Sequence, residues 1–106
     1  MRILQPIYDK HRFDLQATLS LVTERALTCV TNISFDRREP EQCQRASACY
    51  EEALAALLKA GYPPYRASPT GAAKVIDPSS PYGATIAAIK RALDPRGTLS
   101  PGRYGM

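Results

Sequence analysis

The sequence has no tryptophan, one histidine and three cysteines in 106 residues. It has no glycine before Gly61. Each scarcity excludes something. Cys29, Cys43 and Cys49 form no CxxC pair, and the lone His11 gives them no ligand spacing, so no metal site is expected. An odd cysteine count fits three reduced, semi-buried small side chains better than a disulfide framework. His11 stands between Lys10 and Arg12 and reads as surface. No apolar run approaches the roughly 20 residues of a membrane helix. The first 14 residues show no apolar signal-peptide core. With 44% hydrophobic and 23% charged residues, the composition is that of a globular chain of single-domain size.

What is present is unevenly spread. All six glycines and seven of the nine prolines fall in residues 61–106. That stretch carries six basic and two acidic residues, a local excess equal to the whole net charge of +4. The basic residues (Lys74, Lys90, Arg91, Arg96) are scattered without aromatic interleaving, so a nucleic-acid partner is not expected.

Residues 15–22 (LQATLSLV) alternate Leu15, Ala17, Leu19 and Leu21 against polar positions. Residues 26–35 (ALTCVTNISF) place Leu27, Cys29, Thr31, Ile33 and Phe35 on one face. This period of two, with Thr23, Glu24 and Arg25 between the runs, predicts an antiparallel hairpin. A helix follows. Pro40 suits its first turn, Glu39 and Glu41 complement its dipole, and Gly61 suits its end. Ala46, Tyr50, Ala53 and Leu57, with Leu54 and Leu58, form its apolar stripe. A second helix is predicted over residues 81–93, with Ser80 as N-cap, a stripe of Tyr82, Ile86, Ile89 and Leu93, and a stop at Asp94-Pro95. Strand, strand, helix, loop, helix reads as α+β, an antiparallel sheet with helices on one face. Two strands and few helices make a thin core, as in part of a larger domain. The two stretches of the single structural unit are residues 1–62, hairpin and helix, and residues 63–106, loop, last helix and closing segment.

Two segments could carry chemistry. In GYPPYR, residues 61–66, glycine ends the helix and two prolines stiffen the approach to Tyr65 and Arg66. A phenol beside a permanent guanidinium can hold an oxyanion; equally, the pair can be a surface turn. In LDPRGTLSPGR, residues 93–103, Pro/Gly turns and two arginines form either a tail or a backbone lying close to a ligand.

Four stretches resemble a known family. SFDRREPEQ, ACYEEALAALLKAGYPPYR and AAIKRALDPRGTLSPGRYG carry the likeness, with TLSLVTERALTCVTNISF fitting less specifically. Together they resemble the C-terminal end of the FAD-linked oxidases of the vanillyl-alcohol oxidase and p-cresol methylhydroxylase (4-cresol dehydrogenase) type. The ALDP-RG-x-L-x-PGR ending is typical of FAD-linked oxidases, and GY-x-x-YR narrows the likeness to the phenol-oxidising branch. The resemblance implies a partial cap domain, a ferredoxin-like half, followed by a segment that returns to the flavin. It implies that Tyr65 and Arg66 bind a substrate phenolate, and that Arg66 also lies by the flavin. Pro101, Gly102 and Arg103 match the flavin-proximal ending. It implies FAD in the complete enzyme, held mainly by an FAD-binding domain or subunit that this chain lacks. The isolated chain is then expected to be inactive, to retain no FAD and to self-associate. The other implied partners are a phenolic substrate and, in one branch, a cytochrome c subunit. The compartment, bacterial cytoplasm or periplasm, stays open. The rival reading is a stand-alone, non-catalytic α+β module that binds an anionic partner.

Overall fold

The computed structural model describes residues 1–101. Its elements run α1 (Leu4–Lys10), β1 (Gln16–Thr23), β2 (Ala26–Asn32), α2 (Pro40–Lys59), α3 (Pro69–Val75) and α4 (Pro81–Leu93). The architecture is α+β. It divides into two compact units, Met1–Ala60 and a second that begins at Gly61. No helix among the described residues is long and apolar enough to cross a membrane.

In the first unit, α1 is an element that its short length hides in the sequence. Leu4, Ile7 and Tyr8 recur at helical spacing and are buried, while Pro6 falls within the first turn, where its missing N–H costs nothing. The helix ends in a Schellman pattern: Arg12 N–H donates to Asp9 O (3.0 Å) and Phe13 N–H to Tyr8 O (2.9 Å). Arg12 takes the left-handed conformation (φ 57°) that glycine usually fills. That turn folds Phe13 back into a core of Leu4, Ile7, Tyr8, Ala46, Cys49 and Ala53, and the Arg45 guanidinium covers the Phe13 ring at 5.1 Å.

The stripe of α2 is buried as its periodicity predicts, at Ala46, Ala53 and Leu54, with Cys49 fully enclosed beside them. Burial pushes the Cys49 thiol pKa up and the Tyr8 phenol pKa up, so both groups stay neutral in the core. His11 is not a surface residue. Its side chain is only 14% exposed, and its Nε2 lies 2.8 Å from Glu52 Oε2, where Lys10 also binds the same carboxylate at 2.8 Å. α1 and α2 are thus joined by an ionic clasp as well as an apolar seam. Hydrogen bonds from Lys10 first, and with His11 second, hold the Glu52 carboxyl below the usual range.

β1 and β2 pair antiparallel in the register Gln16↔Asn32, Leu19↔Cys29 and Leu21↔Leu27. The hairpin meets the helices at its open end. There Leu15 and Ile33 pack on the core and the Thr31 side chain bonds the Tyr8 phenol. These residues share the face of Leu19, Leu21, Leu27 and Cys29, so within the first unit the helical core meets only the open end of that face. Beyond that contact the face is open: Leu19, Leu21 and Leu27 are 57%, 75% and 62% exposed. Cys29, expected to be semi-buried, is exposed with them.

In the second unit, α3 and α4 begin with the same device. Ser68 and Ser80 each cap with the hydroxyl oxygen, accepting from Gly71 N–H and Gly83 N–H at 3.0 Å, and each helix carries proline in its first turn. The turn between them runs through Asp77. Gly83 is required there, because a Cβ at that position would stand 2.2 Å from the Asp77 carbonyl oxygen.

Candidate functional site

α2 stops at Gly61, whose φ of +81° reverses the chain without steric cost. The following residues reach Tyr65 and Arg66, both of which line a cleft of about 620 Å³ within the second unit. Its walls include Pro64 and Ala67 from the loop, Val75 and Ile76 from the end of α3, and Asp77, Ser80 and Tyr82 from the start of α4. The Arg66 guanidinium lies over the Tyr65 ring at 5.8 Å from its centroid. Tyr65 is 74% exposed, so its hydroxyl is open to a ligand. Among the described residues Arg66 forms no ion pair. The pair can therefore offer one hydroxyl and one planar, permanently charged fork to an anionic oxygen.

Two further lining residues, Asp77 and Tyr82, were not singled out in the sequence. Tyr82 reads there as one position of the α4 stripe, yet it is 64% exposed and lines the cleft. Asp77 sits in an ordinary turn. Its Oδ1 accepts from Ser79 N–H at 2.8 Å and from the Ser79 hydroxyl at 2.6 Å, which holds its carboxyl below the usual carboxylate range. The signal that could have found both is the turn DPSSPY, residues 77–82, which a serine cap and a proline lock in place.

The closing segment has a separate organiser. Asp94 reads in the sequence as a helix stop, but it is the one buried charged residue among those described, 7% exposed. Its Oδ1 accepts from Thr98 N–H (2.9 Å) and the Thr98 hydroxyl (3.1 Å), and its Oδ2 from Leu99 N–H (2.8 Å). The Lys90 ammonium bridges Asp94 Oδ2 and the Leu99 carbonyl. These donors keep the Asp94 carboxyl charged far below its ordinary pKa, Lys90 first among them. The turn after α4 is thereby wound around one carboxylate, with Gly97 (φ +62°) and Ser100 (φ +46°) in left-handed conformations. Pro101 is exposed at its end and does not line the cleft. Gly102 and Arg103 lie outside the described residues. Of the sequence-selected residues, then, the structure brings Tyr65 and Arg66 together in one cleft. Among the described residues no three His, Cys, Asp or Glu side chains converge on a metal position.

No family model matches the chain, and no solved structure does. Two known enzymes do. The chain is 36% identical over 104 residues to the 1'-carboxy-chondrochloren decarboxylase of Chondromyces crocatus, covering 98% of this chain and 19% of that protein. It is 35% identical over 98 residues to the 4-cresol dehydrogenase [hydroxylating] flavoprotein subunit of Pseudomonas putida, covering 91% of this chain and 19% of that protein. The chain thus spans about a fifth of the length of the relatives it matches, and nearly all of its own length is matched. With this coverage added to the motifs that end α2 and follow α4, the two matches support a place for the chain in the FAD-linked oxidase family, similar to one fifth of the length of each relative.

Proposed function

We propose that this chain forms the phenol-binding wall of an FAD-dependent oxidoreductase that acts on 4-alkylphenols, with Tyr65 and Arg66 as its substrate-contacting residues. The observation that carries this reading is the open cleft in which a phenol hydroxyl and a guanidinium without a carboxylate partner stand side by side. The names of the two relatives describe different outcomes, loss of a carboxyl group and hydroxylation of a methylphenol. A segment shared by both fits a role that precedes either outcome, the binding and ionisation of the phenol.

The chemistry of the site follows from its charges. Tyr65 donates a hydrogen bond to the substrate oxygen. Arg66 favours the phenolate over the phenol, and the phenolate pushes electrons through the ring toward the benzylic carbon of the para alkyl group. FAD, when bound, would accept a hydride from that benzylic carbon, leaving a quinone methide that water can attack. The exposed Arg66 guanidinium fits an acceptor that gains negative charge, which is what the flavin ring offers when reduced. Pro101, Gly102 and Arg103 are proposed flavin contacts, by the likeness of the closing segment. The remaining FAD contacts would come from the rest of the flavoprotein.

The test is Arg66→Ala in the complete flavoprotein. Stopped-flow reduction of the flavin by a 4-alkylphenol should slow by about 10²-fold, the usual loss when one preorganised charge is removed. Arg66→Lys should restore only part of the rate, since an ammonium lacks the fork that serves two acceptors. An unchanged reduction rate in Arg66→Ala would return the pair to a surface turn.

A further inference from the structure

The cleft holds a second charge that phenolate binding does not use. Asp77 lines it together with Arg66, and the two form no ion pair with each other. Ser79 fixes the Asp77 carboxyl through Oδ1, and the Ser80 N–H adds to the hold on the same carboxyl. Ser80 is committed elsewhere, its hydroxyl donating to the Asp77 carbonyl at 2.6 Å and accepting from Gly83 N–H at 3.0 Å. Tyr82, from the same turn, adds an exposed aromatic wall. The cleft is therefore bipolar: a guanidinium on the loop after α2, a carboxylate on the turn before α4, and two phenol rings.

Building on the phenolate reading of Tyr65 and Arg66, we infer that Asp77 sets the substrate class of this cleft. It selects phenols whose para substituent is neutral or cationic and disfavours those carrying a second anion. A para-substituted phenol is extended. With its oxygen on Arg66, its far end meets the remaining wall, where Asp77 holds a negative charge. A carboxylate at that end faces like charge. An ammonium there complements Asp77, while the phenolate complements Arg66. The side chain is exposed, so water screens the effect, and a unit charge some 4–6 Å away shifts a dissociation constant by about fivefold rather than by orders of magnitude.

The experiment uses the complete flavoprotein and three probes: 4-ethylphenol, tyramine and 4-hydroxyphenylacetate. Perturbation of the flavin absorbance on titration reports binding. The expected order is tyramine tightest, 4-ethylphenol next and 4-hydroxyphenylacetate weakest, with steps of about fivefold. Asp77→Asn keeps an acceptor for Ser79 and should bring the three constants together. In the unaltered flavoprotein, raising the salt to about 1 M should narrow the same spread, since screening then acts within about 3 Å; this arm needs no variant. If 4-hydroxyphenylacetate binds as tightly as 4-ethylphenol, or if the spread survives Asp77→Asn, the assignment of Asp77 is overturned while the cleft stays a phenol site. If none of the three probes binds the complete flavoprotein, the phenol reading falls, and the role of Asp77 with it.

Discussion

α2 and α4 carry apolar stripes of the same helical spacing, and their fates differ. In α2 the stripe is enclosed: Ala46, Cys49, Ala53 and Leu54 are 0–8% exposed. In α4, Tyr82, Ile89 and Leu93 are 64%, 51% and 77% exposed. The difference lies in what each helix meets. α2 has α1 and the returning Phe13 laid along it. Within the second unit α4 is held by its ends instead, by the Ser80 cap with the close approach of Gly83, and by the carboxylate of Asp94. One helix is stabilised by burial and the other by polar termini.

The contrast can be broken most sharply by the same truncation in both places. Leu54→Ala, at 4% exposure, should cost about 2–5 kcal/mol in urea unfolding, since it removes buried methyls and leaves a cavity. Leu93→Ala should cost under about 0.5 kcal/mol, as expected for an exposed position. Equal losses at the two sites would mean that the α4 stripe is covered in solution.

Gly83→Ala tests the other half of the contrast. The added methyl would overlap the Asp77 carbonyl, and the turn must open to admit it. A loss of about 1–3 kcal/mol is expected, with amide protection falling at the start of α4 before it falls in α2. A neutral or stabilising outcome would show that the turn is not held in place by this contact.

The smallest effect on stability and the largest on assembly should come from the hairpin. Its strands contain no charged residue between Gln16 and Thr23 or between Ala26 and Asn32, and natural sheet edges usually carry charge or proline to prevent pairing. The isolated chain should therefore self-associate at high concentration. Leu21→Ser with Leu27→Ser should shift the light-scattering mass toward one chain while changing stability by less than about 0.5 kcal/mol. A mass of one chain before any substitution would rule the idea out.

Most of the local structure is readable from residue order. The hairpin register follows from alternation, and α2 and α4 begin at the prolines and caps that mark them, because caps and periodicity act over a single turn. α1 and α3, seven residues each, escape that reading, since so short a helix has little periodicity to show. In the site, GYPPYR exposed Tyr65 and Arg66 as candidates. Asp77 and Tyr82 did not stand out, because their relevance depends on lining the same cleft as Arg66, 11 and 16 positions away in sequence.

By itself, then, the sequence determined the hairpin and the two longer helices, carried the likeness to FAD-linked oxidases and marked Tyr65 and Arg66 as candidates. These rest on neighbours within a few positions or on motifs several residues long. Only the tertiary structure decided which apolar stripe is buried. It also took His11 off the surface and onto Glu52, 41 positions away, and left Leu19, Leu21 and Leu27 open. It made Asp94 the hub of the closing turn. The reason is physical: a side chain's burial and partners are set by what folding brings against it, and residue order fixes only the face on which it waits.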